Sequence, residues 1–167
     1  MDHFNFKHLA VAGLIASGLA GQAFAATSND FVDTAAAGGI AEVEAGKLAQ
    51  EKSASADIKA FASEMVKDHT AANHELTALA KKLDLQVPDD AALTAKAKKM
   101  ILEMRDESFD KAYTNNQVKA HEDTVALFKK EADTSDNPEL KAWAAKTLPK
   151  IEHHLDQAKA LQTKYNP

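Results

Sequence analysis

Cysteine is absent from this chain of 167 residues, so neither disulfides nor thiolate chemistry contribute to its fold or function. Aromatic residues are scarce, at 6% with a single Trp, while alanine is abundant; closely packed helices suit that balance better than strands. Excess positive charge is lacking too. The formal net charge is −5, and a mildly acidic surface dotted with lysine argues against nucleic acid as a partner. The run Lys96-Ala-Lys98-Lys99 reads as a solvated face. No phosphate-binding loop, nucleophile elbow or His-Glu-x-x-His motif is present, so no organic cofactor and no familiar enzymatic reaction is indicated. Strand patterns, internal repeats and low-complexity tracts are missing as well.

What the N-terminus does contain is the pattern of a secretory leader. Lys7 lies in a short first region, Leu9 to Leu19 form an apolar stretch, and Ala23-Phe24-Ala25 places small residues where a signal peptidase needs them. The expectation is a leader of residues 1–25, cleaved after Ala25, followed by one domain of residues 26–167. The apolar run is short for a membrane-spanning helix, and nothing later in the chain could span a bilayer. The mature protein is therefore expected to be exported, periplasmic or associated with the cell envelope.

After a short flexible lead-in, Asn29 or Ser28 can cap a helix from Asp30 to about Lys52. Its apolar side is built from small residues, and Gly38, Gly39 and Gly46 suggest close approach of a neighbouring helix. Ser53-Ala54-Ser55 breaks the pattern, with Ser55 as the expected cap of a second helix reaching about Leu83. A connector containing Pro88 leads to a shorter amphipathic helix, Ala91 to Met104. The third long helix covers Glu107 to Ala132. Asn137 caps the last, with Pro138 at its first position, and Pro149 inside it predicts a kink. Four long amphipathic helices favour an all-α, antiparallel, up-down-up-down bundle. The longer link between helices two and three leaves room for other connections.

On these helices Glu42, His69, His121 and His154 fall within or at the edge of apolar faces, one per long helix. Each sits near the midpoint of its helix. Helices of similar length align their middles, at about 1.5 Å per residue, so the four side chains should share one layer of the core. One carboxylate and three imidazoles would suit a single transition metal ion: zinc, iron or copper. Taken singly, each His also has a structural reading, hydrogen-bonded to a carbonyl, to Gln117 or Thr147, or to Glu42. Met65, one turn before His69, would fill space or assist copper. Asp68 and Asp110 flank the buried arcs, where they would orient an imidazole or serve as surface caps. Tyr113 faces the layer, whereas His74 and His153 point to solvent.

Several segments together resemble a known family. They are Gly39-Ile-Ala-Glu-Val-Glu44 with Leu48-Ala49, Phe61-Ala62 with Met65 and Asp68-His69, Phe109-Asp110 with Tyr113 and His121, and Leu148-Pro149 followed by His154. In these the chain resembles a bacterial exported ferritin-like family catalogued as domain of unknown function 4142. The resemblance implies a ferritin-like four-helix fold and an envelope location, and it implies no reaction. Di-iron proteins of the wider ferritin-like class carry Glu three residues before a His ligand. None of the seven histidines here does, so a single-metal site fits better than a di-iron centre. A reading of another class is a structural or stress-linked envelope protein, whose surface engages a partner and whose core histidines ligate nothing.

Overall fold

The computed structural model describes residues 27–88, 93–94 and 109–166. Among these, four long helices form: α1 (Asp30–Lys52), α2 (Ala56–Lys82), α3 (Phe109–Thr134) and α4 (Pro138–Tyr165). The expected leader lies outside the described residues. So does the expected short helix Ala91 to Met104, apart from Leu93 and Thr94, which are helical.

The helix starts follow the capping chemistry of the sequence. Asn29 accepts from the Val32 amide at 3.0 Å, and Asn137 accepts from the Glu139 and Leu140 amides at 3.0 Å, with Pro138 following. Ser55 differs from expectation. It holds the cap position, but its hydroxyl donates to Asp110 at 2.7 Å and leaves the helix start uncapped by that side chain. The lead-in is also tied down, because Thr27 pairs with Leu85 and accepts from the Gln86 amide at 3.0 Å. That contact follows the end of α2, where Asp84 takes a left-handed φ of 53°. Pro149 sits within α4, which continues on both sides of it.

Two apolar clusters show how the helices run. Phe31 and Val32 from the start of α1 pack with Leu76 and Ala80 from the end of α2. Phe128 near the end of α3 and Leu140 and Trp143 at the start of α4 join them. The second cluster joins Ala45 and Ala49, Ile58 and Phe61, Tyr113 and Val118, and Ala158. Partners are therefore antiparallel within the hairpins α1–α2 and α3–α4. Between the hairpins, however, α2 and α3 both start at the second cluster and run the same way, so the alternating up-down-up-down order does not form.

Small residues let the first hairpin close. A Cβ added at Gly46 would stand 2.8 Å from a Val66 methyl and 2.9 Å from the Ala62 carbonyl, and one at Gly39 would run into the Asn73 amide. At Gly38 an added Cβ meets nothing within 4 Å, contrary to the expected close approach.

Candidate metal centre

Between the two apolar clusters lies a polar layer. Glu42, His69, Gln117, His121 and His154 are all buried there, with His121 and His154 each only 1% exposed. Helix midpoints explain the common level: His69 and His121 sit at or beside the centres of their helices, and Glu42 and His154 within a turn. The imidazoles converge. Their ring centroids are 5.6 Å apart for His69 and His121, 5.5 Å for His69 and His154, and 5.6 Å for His121 and His154. One ring nitrogen from each lies within 4.8 Å of the others.

Hydrogen bonds fix two of the tautomers. His121 Nδ1 is 2.9 Å from the main-chain carbonyl of Gln117, which can only accept, so Nδ1 carries the proton and Nε2 a lone pair. His154 Nε2 lies 3.2 Å from an Asp68 carboxylate oxygen, so this nitrogen donates and Nδ1 is left with the lone pair. Those two free nitrogens, and His69 Nε2, are buried without a hydrogen-bond partner. A buried polar atom left unpaired costs about 1–3 kcal/mol, and three such atoms on converging rings form a ready set of ligands.

Burial works against charge on two of the rings. Burial, together with His121 and His154, pushes His69 down to about 3. Burial also lowers His154, against the raising effect of Asp68. For Asp68, burial alone would raise the carboxyl, but hydrogen bonds from Lys150, at 2.9 Å, and from His154 outweigh it and hold it low. Glu42 is pushed up by burial, despite His121 and a 2.6 Å hydrogen bond donated by the Gln117 amide. It stands outside the group of three converging nitrogens. Tyr113 is buried nearby, its hydroxyl unpaired, and is raised by burial and by the charge of Glu42.

Other expectations find their places. Asp68 orients an imidazole, whereas Asp110 accepts from Ser55 instead. Met65 is fully buried in the second apolar cluster. His74 and His153 are exposed. Sequence reasoning missed Lys150, whose signal was its place one turn before His154, and Glu64, which forms a further acidic group with Asp68 and His154. It also missed a cavity of about 520 Å³ that reaches His69 and His154 from between the hairpins.

Fold and site together define an all-α four-helix protein with a buried histidine cluster at mid-height. Residues 16–161 match the family described as Domain of unknown function (DUF4142), and the chain belongs to it. Neither the comparison with curated proteins nor that with solved structures finds a match.

Proposed function

We propose that this is an exported, ferritin-like envelope protein that holds one transition metal ion through His69, His121 and His154, with the Glu42 carboxyl buried in the same layer. The observation carrying the reading is the convergence of three buried imidazoles, each with a ring nitrogen that has no hydrogen-bond partner. Imidazole ligands suit zinc, copper and iron, and three of them leave room for a further ligand. A purely structural role would leave all three nitrogens unpaired in the core. Export is supported by the leader pattern through Ala25, and among the described residues no helix is long and apolar enough to cross a membrane.

The test is elemental analysis of protein purified without a polyhistidine tag, beside His69→Ala and His121→Ala. One metal per chain is expected in the parent and a loss in both variants. Equal, substoichiometric metal in all three would end the proposal.

A further inference from the structure

His154 belongs to two groups of ligand-type side chains. One is the set it forms with His69 and His121. In the other, Glu64 and Asp68, one turn apart on α2, each bring a carboxylate oxygen to within 4.8 Å of the other and of a His154 ring nitrogen. The two nitrogens of the ring face different ways. Nδ1 is buried without a hydrogen-bond partner and is the atom left for the histidine set, while Nε2 stands 3.2 Å from Asp68. Burial grades between the groups: Glu64 and Asp68 are half-buried, whereas His154 is 1% exposed. The carboxylates therefore stand at the rim of the inner set.

The rim is built for a cation, and its present partners are easily moved. Lys150 donates to Asp68 at 2.9 Å, but its side chain is 56% exposed, and an ion pair to so exposed a lysine is weak. Gln157 donates from Nε2 to Glu64 at 3.0 Å and leaves its own Oε1 buried without a partner. A half-turn of that amide would present the oxygen, a neutral ligand, to an ion held by Glu64.

We infer that Glu64 and Asp68, joined to the inner set through His154, form an outer cation site through which a divalent transition-metal ion reaches the buried histidines. The inference rests on the metal reading above. The arriving ion displaces Lys150, is held by the two carboxylates and Gln157 Oε1 while it sheds part of its water, and passes to the unpaired imidazole nitrogens behind them. His154 keeps its Nε2 proton on Asp68, so the ring that joins the two sites stays oriented. Carboxylates at the mouth of a cleft raise the local concentration of cations and their rate of association.

The experiment uses the full mature chain, freed of metal by a chelator and mixed with cobalt(II), whose visible absorption on binding imidazole reports arrival at the inner set. Equilibrium binding is measured first in every variant, and uptake and chelator-driven release are then timed. Glu64→Gln should slow uptake about fivefold, a modest share of what a charged cleft can supply. It should slow release by the same factor and leave the affinity unchanged, because the route serves both directions. Lys150→Gln should speed uptake. Glu75→Gln and Lys146→Gln remove the same charges from a pair 3.1 Å apart further along α2 and α4, and should leave the rates as in the parent. Parental rates in Glu64→Gln and Lys150→Gln, with cobalt bound as in the parent, overturn the inference and leave the metal reading standing. Equal slowing by Glu75→Gln, or slower uptake with unchanged release in Glu64→Gln, also overturns it, since either would mean attraction from a distance and not a site. A parent chain that binds no cobalt overturns the metal reading and the outer site with it.

Discussion

His154 donates from Nε2 to the Asp68 carboxylate at 3.2 Å, joining α2 and α4 across 86 residues of sequence. This bond fixes which nitrogen of the ring is free to face His69 and His121. An outer carboxylate of this kind typically changes metal affinity by about 10–100-fold. Asp68→Asn should therefore lower zinc affinity by about that factor while the helical circular dichroism stays as in the parent, because an amide can turn its oxygen to the ring but supplies no charge. Competition with a chelator of known affinity measures it. Unchanged affinity would leave Asp68 as a surface partner of Lys150 only.

In the metal-free protein, acid should act through the histidines. The unfolded chain protonates His69 at about 6.5, whereas the folded chain resists until about 3. Between those values the unfolded state binds more protons, so stability is complete above about pH 6.5 and is lost as the pH falls towards 3. His154, also lowered, adds in the same direction. Glu42, raised, opposes them: its contribution is complete below its ordinary value of 4.5 and is lost as the pH rises through the folded value. Each proton contributes a slope of up to about 1.4 kcal/mol per pH unit. Urea midpoints of chelator-treated protein from pH 7.5 to 4.5 should fall, and fall less in His69→Leu. Parallel curves for the two would contradict the burial argument.

The histidine layer was legible because a helix midpoint is unchanged when the helix is reversed. Glu42, His69, His121 and His154 share a level whichever way α3 runs, so the expected polar layer forms although the expected topology does not. The direction of α3 was not legible, since hydrophobic periodicity identifies a face but carries no sign along the axis. Long-range polar choices were hidden for a similar reason. Nothing local to Ser55 shows that Asp110 will take its hydroxyl, and nothing near Gln117 shows that its amide reaches Glu42. The boundaries of α1 and α4 were readable because Asn29, Asn137 and Pro138 act on their own neighbours.

Gly38 and Gly46 look alike in sequence and should respond oppositely to the same substitution. At Gly46 a methyl group would press on the Ala62 carbonyl and a Val66 methyl, so Gly46→Ala should cost about 1–3 kcal/mol through overpacking. At Gly38 there is nothing to strike, and Gly38→Ala should gain about 0.5–1 kcal/mol from the lower flexibility of the unfolded chain. Thermal melts separate the two by sign alone. A destabilised Gly38→Ala would mean that something occupies the space beside it.

Tyr113 offers a sharper test of whether the polar layer is complete. Its ring stacks on Phe109 with centroids 5.9 Å apart and meets Phe61 edge-on at 6.3 Å, contacts that phenylalanine would keep. Its hydroxyl is buried with no partner, and an unpaired polar group in the core costs about 1–3 kcal/mol. Removing that group with Tyr113→Phe should therefore stabilise the metal-free protein by about 1 kcal/mol, seen as a higher urea midpoint with an unchanged slope. The opposite result is equally informative. A loss of stability would show that the hydroxyl has a partner in solution, such as an ordered water bridging to Glu42, and that its contribution exceeds the desolvation of the phenol.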